Sequence, residues 1–392
     1  MNKNIYLLTF LVFSLSFWNF ACNVNKKIEG AMQDKIQQIE KKYAPDTRVE
    51  IFDIEVVNKG GAVYLEGITS SEEAYQEINQ TIKDMKEKNI TNQIRLLPEQ
   101  NLEYKQAIIN LSVGNIRSEP RHSATLVTQA LLGTPVKIYQ KDGWWYRIQT
   151  PDNYLGWIDG SGIEPLAQED IKSWNNSEKI IFTNKYGSVY QDKDKSSQPV
   201  SDIVMGNILK MEDRSWNWFE VSFPDGRKGY IDRDQAQIID EWMDAIELTG
   251  ESIVNLAKSF QGIPYLWGGT SIKGADCSGF VKSVYFMHGI ILQRDASQQT
   301  LYGELVPIEE NYDQLQAGDL LFFGKERVTH VGIYMDDYKF IHASGRVKIN
   351  SLNKADPDYS KSRESSLIRA RRILGSLDND GISLLKNNKF YK

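Results

Sequence analysis

Three rhythms of apolar and polar positions succeed one another along the chain. The first is an unbroken apolar run, IYLLTFLVFSLSFW, behind the polar start MNKN with its Lys3. It is too short for a comfortable membrane span and reads as the core of an export signal over residues 1–22. In residues 30–100 the rhythm is mixed. VEIFDIEVV and GAVYLEGI read as strands, and SSEEAYQEINQTIKDM as a helix with Ala74, Ile78, Ile82 and Met85 on one face. NQIRLLP reads as a further strand, which makes a small α/β domain. Ser70 and Glu73 have the spacing of a capping box at the helix start.

Short period-two runs broken by Gly, Pro, Asp and Asn follow, and they repeat. WWYRIQTPDNYLGWID (144–159) aligns without a gap to NWFEVSFPDGRKGYID (217–232), a shift of 73 residues that also matches Gly114 to Gly187, Gly133 to Gly206 and Lys137 to Lys210. Two copies of one small β-barrel are therefore predicted, at 106–168 and 179–236. DRDQAQIIDEWMDAIELTGESIVNLAKSFQG reads as helical, with Gly262 as its C-terminal stop. Residues 246–375 then run from helix to strands, and 376–392 form a polar tail expected to be loose. The sum is an α+β multidomain chain.

Composition narrows the function classes. With 41% hydrophobic and 25% charged residues the chain is ordinary globular protein, and 392 residues exceed one core. The net charge of −6 leaves no basic footprint for nucleic acid. The 19 tyrosines and 9 tryptophans suit β-rich modules or surfaces for carbohydrate and peptide. There are two cysteines, Cys22 and Cys277. NFAC, with small Ala21 before Cys22, resembles the lipobox of bacterial lipoproteins, although Asn19 stands where an aliphatic residue is usual. That resemblance implies cleavage before Cys22, lipidation of Cys22 and attachment to a membrane. An ordinary cleaved signal peptide is the alternative, and both make the protein exported. The mature body then holds one free cysteine and no internal disulfide.

Cys277 lies in GADCSGFVKSVYF, where Phe280, Val281, Val284, Tyr285 and His288 share one helical stripe. Asp276 and Ser278 are residue types that favour a helix start, so Cys277 is placed at a helix N-terminus, where the macrodipole favours a thiolate. The neighbouring glycines are expected to let a substrate backbone come close. A nucleophilic cysteine needs a base, and the chain has four histidines. His122 lies in a polar loop and His288 at the far end of the Cys277 helix, which leaves His330 and His342. VTHVGIYMDDYKFIHAS reads as a hairpin turning near Asp336 and Asp337, which sets His330 opposite His342 on one face. One imidazole can take the thiol proton while the other orients it. Metal ligation is the competing reading, and it lacks a fourth ligand at metal-like spacing.

YLWGGTSIKGADCSGFV, QAGDLLFF, THVGIY and FIHAS, in this order, resemble the NlpC family of papain-like cell-wall cysteine endopeptidases over roughly residues 246–375. The resemblance implies a papain-like catalytic domain without cofactor or metal. Cys277 would be the nucleophile, His330 the general base and acid, and His342 the orienter. Tyr265 would stand at the oxyanion site beside the Cys277 backbone N–H. NIRSEP and GWI in the first repeat resemble bacterial SH3-like (SH3b) domains. Two such domains ahead of the catalytic one resemble the γ-D-glutamyl-L-diamino-acid endopeptidases. These act on peptidoglycan stem peptides or muropeptide fragments with a free N-terminal L-Ala. That type implies Glu119, Tyr154 and Asp276 around the alanine ammonium, and Ser278 and Ser297 on the D-Glu carboxylate. At the repeat shift Tyr154 becomes Arg227 and Glu119 becomes Asp192, so the second copy reads as structural. The protein is expected at the cell surface or as a periplasmic lipoprotein held by Cys22. The alternatives are a wall-binding protein without activity, or a related papain-like amidase.

Overall fold

The computed structural model describes residues 26–85, 89–309, 311–379 and 381–392. The apolar leader and Cys22 lie outside them. The chain divides into two units between Leu102 and Glu103.

In the N-terminal unit, residues 26–43 are helical and bury Met32, Ile36 and Ile39 together with Leu65, Ala74 and Ile78. Phe52–Lys59 pairs antiparallel with Ala62–Thr69, which pairs parallel with Ile90–Leu96. The helix Glu72–Met85 makes the crossover that a parallel pair requires. Its cap falls one residue later than the sequence suggested. Ser71 Oγ accepts from the Ala74 N–H at 3.1 Å, while Ser70 Oγ accepts from the Ile51 N–H at 2.8 Å and ties down the loop before the first strand.

In the larger unit the repeat holds strand for strand. Gln106–Ile109 answers to Lys179–Phe182, Val113–Arg117 to Tyr186–Tyr190, and Leu155–Asp159 to Lys228–Asp232. Each copy is a seven-stranded sheet with the same order of neighbours. The segment read as one long helix is broken to complete the second copy. Ala236–Ile238 pairs with Ile180–Phe182, with Ala236 and Ile238 inward and Gln237 outward. Two helices, Ile239–Asp244 and Gly250–Ser259, follow it. Gly262 does sit in the left-handed region, at φ +87°.

The C-terminal part packs the helix Cys277–Phe286 on a six-stranded antiparallel sheet. The strand order is Glu304–Val306, Leu367–Arg372, Leu320–Gly324, Val328–Asp336, Lys339–Ser344, Arg346–Ser351. Phe280, Val281, Val284 and Tyr285 are fully buried against Leu320, Phe322, Val331 and Ile333, so the predicted stripe is the core-facing one. His288 closes this helix, with Nδ1 2.8 Å from the Val284 carbonyl. The last residues are docked rather than loose. Ile382–Leu384 pairs with Ile290–Leu292, Asn388 Nδ2 donates to the Pro151 carbonyl at 3.0 Å, and Phe390 is buried.

The first barrel is welded to the Cys277 helix and the loop before it. Gln129 Oε1 accepts from the Thr270 N–H at 3.0 Å and its carbonyl from the Thr270 hydroxyl at 2.9 Å. Lys282, on the helix, forms an ion pair with the fully buried Asp152 of the barrel. Asp152→Ala leaves that ammonium without its anion, an expected loss of about 3–5 kcal/mol in urea unfolding. The double change Asp152→Leu with Lys282→Met should recover most of it. A loss below about 1 kcal/mol would place the pair with ordinary surface ion pairs and sink this account of the seam.

Candidate active site

Asp276 caps the helix that carries Cys277. Its Oδ1 accepts from the Gly279 N–H at 2.7 Å and its Oδ2 from the Gly268 N–H at 3.0 Å. The same carboxylate takes both ends of the Arg294 guanidinium, at 3.1 and 2.5 Å. Arg294 is 1% exposed and donates further to Ser278 Oγ at 3.1 Å and to Thr128 Oγ1 of the first barrel at 3.0 Å. The glycines serve this junction rather than open it to a substrate. A Cβ on Gly279 would stand 2.0 Å from the Gly269 carbonyl oxygen, and one on Gly269 would stand 2.4 Å from that of Gly274. Only bare backbone lets the 268–271 loop close on the helix start.

Cys277 is the free cysteine among the described residues and is 8% exposed. Burial pushes its thiol upward and the Asp276 charge adds to that, while the Val331 and Ser278 N–H groups and Arg294 pull the other way without offsetting it. The resting group is a neutral thiol. Desolvation has outweighed the helix N-terminus that the sequence put forward as favouring a thiolate.

The histidines come from the hairpin of Val328–Asp336 and Lys339–Ser344. Its turn is tight, with Asp337 and Tyr338 both at positive φ, as a primed two-residue turn requires. The register is two residues off the expected one. Ile333 faces Ile341, which sets Gly332, not His330, across from His342. A shift of two keeps both rings on one face. Gly332 leaves the room for it, because its Cβ would lie 3.1 Å from the His342 Cβ. His342 leans over that gap and brings its Nδ1 within 2.7 Å of His330 Nε2.

The hydrogen bonds fix the tautomers along this line. Asn350 Nδ2 donates to the Asp358 carbonyl at 2.8 Å, so Asn350 Oδ1 faces His342 Nε2 at 3.0 Å and must accept from it. His342 Nδ1 is then an acceptor and takes the Nε2–H of His330. What remains on His330 is an unprotonated Nδ1. Burial holds His330 well below the ordinary histidine range, helped by the charges of Arg363, His342 and Lys348. Burial likewise takes His342 down to about 4, against the pull of Asn350.

Tyr265 is tied close to the Cys277 helix by its N–H to the Gly345 carbonyl at 3.0 Å and a bridge to Ala275. Burial, with the Cys277 and Asp276 charges, pushes its phenol up to about 12, so it stays a donor. Arg363, on the short helix Lys361–Glu364, stacks over Phe323 at 5.6 Å. The Phe323 ring in turn meets His330 at 5.8 Å.

The other candidates are more scattered. Tyr154 is buried and its hydroxyl donates to Asp295 Oδ2 at 3.1 Å. Glu119 faces solvent and is held by two bonds to Arg121, at 3.1 and 3.0 Å. Ser297 is half-buried in the short helix Ala296–Gln299, which Asp295 opens. Arg294, Asp295, Asn350 and Arg363 escaped the sequence reading. Asn350 was within reach, since strand alternation carried one strand past His342 puts it on the His342 face. Arg294 and Arg363 carried no local signal.

Comparison with known proteins follows the same division. Residues 262–364 match the NlpC/P60 family and residues 112–164 the bacterial SH3 domain. The dipeptidyl-peptidase 6 of Lysinibacillus sphaericus is 30% identical over 266 residues, spanning 64% of this chain and 94% of that protein. The γ-D-glutamyl-L-lysine dipeptidyl-peptidase of Bacillus cereus is 30% identical over 243 residues, spanning 58% of this chain and 71% of that one. The crystal structure of a Bacillus cereus NlpC/P60 family protein shares 25% identity at a TM-score of 0.59, covering 68% of this chain and 99% of that one. With a helix-borne cysteine packed on a histidine-bearing antiparallel sheet, and an SH3b domain ahead of it, the chain belongs to the NlpC/P60 family of peptidoglycan peptidases.

Proposed function

We propose that the protein is a cysteine endopeptidase that hydrolyses the bond between γ-D-Glu and the following diamino acid in peptidoglycan stem peptides bearing a free N-terminal L-Ala. The observation that carries the chemistry is the line from the Asp358 carbonyl through Asn350 and His342 to His330, which leaves an imidazole lone pair for the Cys277 thiol. The names of the two relatives above support the choice of bond.

In this reading the sulfur attacks the D-Glu γ-carbonyl carbon while His330 Nδ1 takes the thiol proton. The oxyanion is met by the Cys277 N–H at the helix start and by the Tyr265 hydroxyl. His330 then gives its proton to the leaving amine, the C–N bond breaks, and water hydrolyses the thioester with His330 again as base. His342 holds the imidazole in the tautomer required. The alanine ammonium would meet Tyr154 and the acidic side chains around it, Asp295 first and Glu119 at the rim. Asp276 acts there through Arg294 rather than as a free carboxylate. Ser278 and Ser297 would take the D-Glu carboxylate. The leader would export the protein and Cys22 would anchor it.

Cys277→Ala should abolish release of L-Ala-γ-D-Glu from L-Ala-γ-D-Glu-L-Lys, read by mass spectrometry, with the far-ultraviolet spectrum unchanged. Near-wild-type turnover by this variant would remove the cysteine from the mechanism, and no turnover by the wild type would favour a wall-binding role.

A neutral thiol beside a neutral imidazole has a pH signature. His330 is base-competent only while unprotonated, and its protonation is displaced well below the ordinary 6.5. The kcat/KM profile should therefore stay level through pH 6.5 and fall only at more acid pH. An acid limb at or above 6.5 would contradict a buried neutral base.

Acetylating the L-Ala amine removes the charge that Tyr154 and its acidic neighbours would hold. One hydrogen bond to a charged group is worth about 1.5–3 kcal/mol, so kcat/KM should drop by roughly ten- to a hundredfold. Equal rates on free and acetylated peptides would mean that the first barrel does not read the amino terminus.

A further inference from the structure

Several charged side chains buried around the site are matched by a carboxylate. Arg294 has Asp276, Lys282 has Asp152, and Arg372 has Asp319. Arg363 has neither a carboxylate nor a carbonyl on its guanidinium among the described residues; the Phe323 ring is what it rests on. Its charge is felt at Cys277, Tyr265, His330 and His342. A cation drawn partly out of water beside the nucleophile and the base, with no anion of its own, is a site prepared for an anion from outside.

Position says which part of a substrate supplies it. The site has two ends. At one, Thr128 and Tyr154 of the barrel meet Arg294 and Asp295. At the other lies the sheet, where Phe323 pairs across to His330 and carries Arg363 on its face. His330 hands its proton to the departing amine, so the departing residue lies over the sheet end.

We propose that Arg363 binds a carboxylate on the leaving amino acid. The inference rests on the endopeptidase reading above. A leaving residue offers such a group in two ways. It can be the free α-carboxylate of a chain-terminal diamino acid, or the second carboxylate of a diaminopimelate side chain. Both present the same planar anion to a guanidinium fork. The enzyme is thereby directed to short or diaminopimelate-bearing peptides rather than to leaving groups that are neutral near the scissile bond.

The test compares kcat/KM of wild type, Arg363→Gln and Arg363→Lys on four peptides. These are L-Ala-γ-D-Glu-L-Lys, its C-terminal amide, the α-amidated diaminopimelate analogue, and the L-Lys peptide with D-isoglutamine in place of D-Glu. Wild type should prefer the lysine free acid, the amidated diaminopimelate peptide, or both, over the lysine amide by tenfold or more. That ratio should collapse towards one in Arg363→Gln and be partly kept in Arg363→Lys. Retention of the preference for the amidated diaminopimelate peptide assigns the side-chain carboxylate, and its loss assigns the α-carboxylate. If Arg363→Gln changes neither the acid-to-amide ratio on the lysine peptides nor the rate on the amidated diaminopimelate peptide relative to the lysine amide, the proposal is overturned. So does a loss that disappears only on the D-isoglutamine peptide, because Arg363 would then serve the acyl side. The same peptides titrated calorimetrically into Cys277→Ala separate the two levels of inference. Absence of wild-type turnover counts against the endopeptidase reading, while equal binding of the lysine acid, the lysine amide and the amidated diaminopimelate peptide to Cys277→Ala counts against Arg363 alone.

Discussion

The buried pairing of Arg294 with Asp276 is the joint on which the rest of the catalytic architecture hangs. Asp276 fixes where the helix begins, so it fixes where Cys277 stands. Arg294 neutralises that carboxylate, reaches Ser278 in the first helical turn, and takes hold of Thr128 in the barrel. One guanidinium thus ties together the place of Cys277 and the position of the first barrel. A charge pair this dry is a poor source of net stability, because desolvation consumes most of its Coulombic gain. Its value lies in geometry: bidentate contacts tolerate few arrangements, and the helix start, the loop and the barrel must all agree with them.

The opposite half of the site relies on directionality instead of charge. From the Asp358 carbonyl to His330 each group is told by its neighbour which atom carries hydrogen. Burial keeps both rings neutral, so the order of donors and acceptors is not scrambled by protonation. The Cys277 thiol follows the same logic, since burial favours its neutral form. The two halves meet at the strand Val328–Asp336, which offers the Val331 N–H to the sulfur and carries His330 one residue before it.

The chain's periodicities made much of this legible. The offset of 73 residues carried the topology of both barrels, because strands in equivalent places need equivalent turns. Cys277, His330 and His342 could be chosen because so few residues of their types exist in the chain. Other features depend on contacts across sequence and were beyond a linear reading. The hairpin register rests on a two-residue turn at Asp337 and Tyr338, whose positive φ neither residue type announces. Ala236–Ile238 looked helical because its three residues become a strand only when the barrel's first strand is beside them. Residues 376–392 looked loose because their apolar positions are few, yet each finds a distant partner. Arg294 and Arg363 are alike as letters, and only the fold gives one an aspartate and leaves the other bare.

The barrel repeat has diverged in one telling place. Where the first copy carries Tyr154 towards the catalytic domain, the second carries Arg227, whose Nη2 donates to the Asn110 carbonyl of the first copy at 2.9 Å. Tyr186 and Asp202 of the second copy hold the catalytic loop at Ile272 and Lys273. Duplication has therefore separated two contacts that a single module would have had to combine, Tyr154 on Asp295 and the bracing of that copy from outside. The outer copy works as a buttress. A change at Arg227, Tyr186 or Asp202 would be felt as a shift of the surface that each of them holds.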